Sequence, residues 1–163
     1  MLAYDMFEEA LNGDGSDKEY DEKSKLSKAL KKSTAIKAEF EKNLNDFTNY
    51  DTLLYGLYYG TISTYEGNTA TDKDLSLSVG AARYSMVIYK ETRTTGFLFW
   101  EKEQVRYVAE VTVTDTYDFT EWRTDGSFGS RMNNIAYFGQ HFGIIKPYDW
   151  KSTFVISTEW EDV

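Results

Sequence analysis

Hydrophobic and polar positions alternate most cleanly between Tyr107 and Thr114. Tyr107, Ala109, Val111 and Val113 take one side, and Val108, Glu110, Thr112 and Thr114 the other. A period of two is the pattern of a half-buried strand and predicts one over 105–115. A second alternating run, KSTFVISTEW over 151–160, predicts a last strand suited to pair with the first. Ala82, Tyr84, Met86 and Ile88 predict a third, reaching Tyr89. A turn over 91–96, a short aromatic run over 96–100 and a hairpin tip over 101–104 would join it to the central strand.

Other segments have helical spacing. Leu2, Met6, Phe7, Ala10 and Leu11 predict a first helix that stops at the polar turn 12–17. From 17 to 47 the chain is lysine-rich and free of glycine and proline. Leu26, Leu30, Ile36, Phe40, Leu44 and Phe47 follow one stripe there, which predicts a long amphipathic helix, broken near Ser33 and Thr34, with Ser16 or Asp17 as its cap. Residues 131–142 form a further helix, with Ile135, Phe138 and Phe142 on one face and Gly143 as its stop. Pro147 breaks the connection that follows. The aromatic patch over 49–64 fits a helix across 51–59 or a strand across 54–63, and its first part is read as helix. Residues 66–74 are polar and unpatterned, and are read as a surface loop.

These elements make an α+β fold: N-terminal helices packed on an antiparallel, aromatic-rich sheet, with one helix between the last two strands. A helical lead-in over 1–48 and an α+β domain over 49–163 form one compact unit. The 13 Tyr, 10 Phe and 4 Trp suit either an aromatic β core or a ligand-binding face. The absence of cysteine excludes disulfides and thiolate metal sites. A net charge of −9 argues against a nucleic-acid partner. No apolar run is long enough for a transmembrane helix, and no cleavable leader is visible. The expectation is a soluble protein that leaves the cell without a leader inside this chain.

Chemistry-bearing residues gather after the central strand. Asp115, Asp118, Glu121 and Asp125 lie within eleven residues, with Tyr117 among them. An oxygen-only set suits Mg²⁺ or Ca²⁺. Two close carboxylates can instead divide acid and base roles, because mutual repulsion separates their pKa values. If the strand continues through Tyr117, Asp115 and Tyr117 share a face and Asp118 points away, so a bend is needed to bring the acids together. A capped polar turn accounts for the same residues. His141 is the one histidine, so a His-rich metal site is excluded. Its alternatives are a proton carrier and a partner of its own helix end. Arg123 and Arg131 flank a glycine loop and suit a phosphate. Arg83 follows Gly80-Ala81-Ala82, where a glycine bend or an anion site fits. The turn 12–17 fails the register of a calcium loop: Asp17 stands where glycine is needed, and Lys23 at the twelfth position.

Asp115-Thr116-Tyr117-Asp118 resembles the Asp-x-Tyr-Asp motif of colicin M-type bacteriocins. The resemblance implies a magnesium-dependent enzyme that cleaves the lipid-linked peptidoglycan precursor between lipid and pyrophosphate. In that family a His-Arg pair follows after five residues; Thr124 and Asp125 stand there in this chain, with Arg123 the nearest arginine. The layout is also similar to the C-terminal effector module of a bacterial polymorphic toxin. It implies an antibacterial effector, secreted or delivered to the target cell envelope, with a cognate immunity protein. Asp115 and Asp118 would then bind the metal or act as acid and base, and Tyr117 would position them or the substrate. Arg123 or Arg131 would meet the phosphate, and His141 would be the alternative proton carrier. Two rivals stand beside this reading. One is a binding module that uses its tyrosine-rich residues 50–65 on a protein, glycan or membrane; the other is an acidic immunity-type protein that neutralises a basic toxin.

Overall fold

The computed structural model describes residues 1–50, 53–64, 70–96, 100–119, 124 and 126–163. Its centre is a sheet in the order β1 (Lys18–Tyr20), β5 (Tyr148–Ser157), β4 (Lys102–Tyr117), β3 (Ala81–Thr95) and β2 (Tyr55–Ser63). A short β6 (Glu161–Asp162) pairs with the start of β4. Neighbours are antiparallel except β1 and β5, which run parallel. The helices are α1 (Leu2–Asn12), α2 (Lys25–Lys32), α3 (Thr34–Thr48), α4 (Ala70–Ser78) and α5 (Phe128–His141), the last lying between β4 and β5 in sequence. This is the α+β class that the periodicity predicts, and β5 pairs with β4 as expected.

Alternation decides what is buried. On β5, Tyr148, Trp150, Ser152, Phe154 and Ile156 are buried and every residue between them is exposed. Ala82, Tyr84, Met86 and Ile88 of β3 and Val111 and Val113 of β4 join them in one core. The stripe Leu26, Leu30, Ile36, Phe40 and Phe47 from α2 and α3 closes over this face. Each such side chain contributes about 1.5–3 kcal/mol by leaving water. A buried hydrogen bond of 2.7 Å between Ser27 Oγ and Ser152 Oγ pins α2 to β5.

Five expectations are corrected. The helix expected over 17–47 is three elements, because Lys18–Tyr20 pairs with β5 as β1 and Asp21 turns the chain by accepting from the Lys23 and Ser24 amides. The caps are Ser24 and Ser33, not Ser16 or Asp17, and the break at Ser33 falls where expected. The patch read as helix over 51–59 is strand β2 from Tyr55, with 51–52 outside the described residues. The loop read over 66–74 contains the start of α4, whereas 65–69 lie outside the described residues. No apolar stripe announces α4; its acids hold it in place. Asp72 accepts from Thr34 N and Oγ1 at the start of α3, and Asp74 from the Leu2 and Ala3 amides at the start of α1. Finally, 91–95 and 102–104 are strand, and the turn lies between them, with Gly96 at a φ of 113°. Polar cross-strand pairs, Arg106–Glu91 at 2.7 Å and Arg93–Gln104 at 3.0 Å, give this arm the composition of a turn.

The glycines of β2 explain how an aromatic patch becomes a strand. Gly56, Tyr58, Gly60 and Ile62 face the helices, and a Cβ at Gly60 would lie 2.7 Å from the Tyr84 ring. Tyr84 cannot simply swing away, since its hydroxyl bonds Glu39 and Asn43. Gly60→Ala is therefore expected to destabilise the fold by about 1–3 kcal/mol in urea unfolding, despite alanine's smaller entropy cost. Equal or greater stability would mean that Tyr84 has room to move.

Candidate active site

β4 continues through Tyr117, so Asp115 falls on the helix-covered face in line with Val111, Val113 and Tyr117, and opposite the buried Trp150. Apolar neighbours on both strands deprive its carboxylate of water. Burial accordingly pushes Asp115 from the ordinary 3.8 up to about 6; the Thr116 amide and the Arg83 charge oppose the rise, and Asp118 and Asp149 add to it. Asp118 follows the strand end and is exposed, with its pKa raised by lost hydration on its inner side and then by Asp149. The acids thus come within electrostatic reach of one another at the mouth of the central strand.

Tyr117 is 7% exposed, and burial raises its phenol to about 12, so it stays protonated at neutral pH. Its ring meets Phe119 edge-on at 5.4 Å and Tyr148 at 5.6 Å, and Phe119 in turn meets Phe7 of α1 at 6.2 Å. This aromatic cluster forms the floor beneath the acids.

Register brings in two further groups. Asp149 stands opposite Thr116, whose hydroxyl donates to it at 2.6 Å. Arg83 of β3 stands opposite Thr114, one residue from Asp115, and lines a shallow hollow of about 370 Å³ with Tyr59, Thr61, Ser85, Thr112 and Thr114. Sequence reading passed over Asp149 and treated Arg83 apart from the acids. The expected pairing of the last strand with the central one was the signal that could have placed Asp149.

The remaining candidates divide. Glu121, Arg123 and Asp125 lie outside the described residues. Arg131 is exposed in the first turn of α5 and His141 is exposed in its last, which puts them roughly 15 Å apart along the axis. The His141 end adjoins the acids, because Gln140 Oε1 accepts from the Phe119 amide at 2.9 Å, one residue beyond Asp118. The His141 ring itself packs edge-on against Phe142.

Among the described residues, no group of three or more His, Cys, Asp or Glu side chains converges to hold a metal. Asp115 and Asp118 are the two carboxylates of the described residues that the sequence reading offers to a cation.

Asp115 also sets a pH dependence. Its folded value lies above its unfolded one, so its favourable contribution is complete below about pH 4 and is lost as the pH rises through 6. At full strength the rise is worth about 3 kcal/mol, and the partial exposure of the group reduces this to about 1 kcal/mol. In chelator, Asp115→Asn is expected to raise Tm by about 3 °C at pH 7.5 and to leave it unchanged at pH 4. An equal gain at both values would remove the carboxylate's charge as the cause.

The fold is similar to that of a colicin M-like bacteriocin. The chain is similar to the structure of PaeM, a colicin M-like bacteriocin produced by Pseudomonas aeruginosa, with a TM-score of 0.50 and 18% identity, over 97% of this chain and 51% of that one. It therefore spans about half the length of PaeM. It also matches truncated bacteriocin syringacin M from Pseudomonas syringae pv. tomato DC3000, with a TM-score of 0.47 and 10% identity, over 97% of this chain and 60% of that one. No family model matches the chain, and no curated protein matches it by sequence.

Proposed function

We propose that this chain is an antibacterial effector domain that hydrolyses a phosphorylated, lipid-linked cell-wall precursor in the envelope of a target cell. The observation that carries the reading is Asp115, half-buried against its own charge on the helix-covered face at the end of β4, with the Asp118 charge adding to the rise. A fold keeps such an unfavourable carboxylate where a ligand compensates it. The likeness of the fold to a bacteriocin supports the same reading.

In this proposal Asp115 and Asp118 hold Mg²⁺, which supplies Lewis-acid polarisation of a phosphoryl oxygen. Tyr117 and its aromatic neighbours fix the two carboxylates on a rigid strand end. Arg123 or Arg131 meets the phosphate, and the Arg83 charge, felt at Asp115 from the opposite face of the sheet, adds to their attraction. His141, at the α5 end tied to Phe119, carries the proton. Water adds across the lipid–oxygen–phosphorus linkage and leaves a lipid alcohol and a pyrophosphoryl sugar. A cognate immunity protein in the producing cell follows from the same reading.

The test is release of water-soluble pyrophosphoryl product from the lipid-linked precursor in Mg²⁺, with Asp118→Ala beside the wild type. Growth of a bacterial host expressing either chain in the cytoplasm or the periplasm accompanies it. Release by the wild type alone, with toxicity confined to the periplasm, supports the proposal; no release by folded wild type sinks it. A second reading rests on β2, where Tyr55 and Tyr59 are 63% and 71% exposed on the sheet face away from the helices. A binding module would use these aromatics, and under it Asp118→Ala leaves function intact.

A further inference from the structure

We propose that the outward face of α5 docks on an anionic phospholipid surface. Met132, Ile135, Phe138 and Phe142 recur at helical spacing, and with Ile144 just beyond they are 45–72% exposed. Their direction is set by the opposite side of the helix. There Ala136 is buried and Gln140 holds the Phe119 amide. The Lys146 amide donates to Ala10 O at 2.7 Å and ties the following turn to α1. The stripe is thus presented by a helix fixed to the body, with the Phe138 and Phe142 rings stacked at 6.4 Å.

Charge selects the occupant. The molecule carries 27 acids and a net charge of −9, yet no Asp or Glu occurs between Asp125 and Asp149. Within that stretch Arg131 and Lys146 are exposed around the apolar stripe. Apolar side chains flanked by cations, in a protein otherwise negative, match the acyl boundary and phosphates of an anionic leaflet. The acidic remainder is repelled by the same surface, which favours one orientation. The proposal accords with a lipid-linked substrate without requiring one, because docking is read without turnover.

The experiment is flotation of the full chain with vesicles of phosphatidylglycerol and phosphatidylcholine in equal parts, and with phosphatidylcholine alone. The wild type is expected to float with the anionic vesicles, less at high salt and least with phosphatidylcholine. Ile135→Ser combined with Phe142→Ser should weaken binding at least roughly tenfold with Tm unchanged, since both side chains are exposed. Arg131→Gln with Lys146→Gln should flatten the salt dependence. Failure of the wild type to float, unaltered binding by the Ser pair, or a concentration-dependent dimer formed through this face in place of vesicle binding each overturns the proposal. Hydrolysis of a detergent-solubilised precursor alongside a failure to float would separate the two readings.

Discussion

Asp118→Ala is expected to reduce precursor hydrolysis by roughly 10³-fold, the scale on which a metal-holding or proton-transferring carboxylate contributes. The Tm of the variant should equal or exceed that of the wild type. Asp118 is exposed, follows the last residue of β4, and has its ionised form disfavoured by lost hydration and by Asp149. Removing it therefore relieves repulsion without opening a cavity. The combination is diagnostic, because a structural residue loses activity through instability and this one would not. A variant that retains most of its activity would return the acids to the status of a polar turn.

Phe154→Ala is expected to cost about 3–5 kcal/mol and to lower Tm by about 10–15 °C. Phe154 is 1% exposed, lies opposite Val111 in the central pair of strands, and has the α2 and α3 stripe above it. Its neighbour Val155 is 37% exposed on the other face. Val155→Ala should accordingly stay within about 0.5 kcal/mol of the wild type. Two adjacent positions with opposite outcomes test the register of β5 directly. Similar effects at both would mean that the sheet is not one-sided there.

What was legible in the sequence was what periodicity alone determines. β5 alternates over its full length and β4 over its middle, so their existence and pairing followed from the residues. β1 was not legible: three residues inside a lysine-rich run become a strand only because the edge of β5 lies beside them. α4 was hidden for a related reason, since Asp72 and Asp74 reach across to the starts of two other helices rather than forming a stripe of their own. At the site, Asp115, Tyr117 and Asp118 could be found along one strand, whereas Asp149 and Arg83 enter only through register. The α5 stripe was visible as a stripe, but spacing could not say that Ile135 and Phe142 point away from the core.

The parallel pairing of β1 with β5 has a consequence for how the chain is made. The contact of Lys151 with Glu19 spans 132 residues. At ribosomal rates of about 5–20 residues per second, β1 waits roughly 7–26 s for its partner strand to be synthesised. Tyr148 and Trp150, which wall the acidic mouth, arrive on that same late strand. The nascent polypeptide therefore carries Asp115 and Asp118 for seconds before the surroundings that raise their pKa values exist. A producing cell meets the finished site only after residue 150 has left the ribosome.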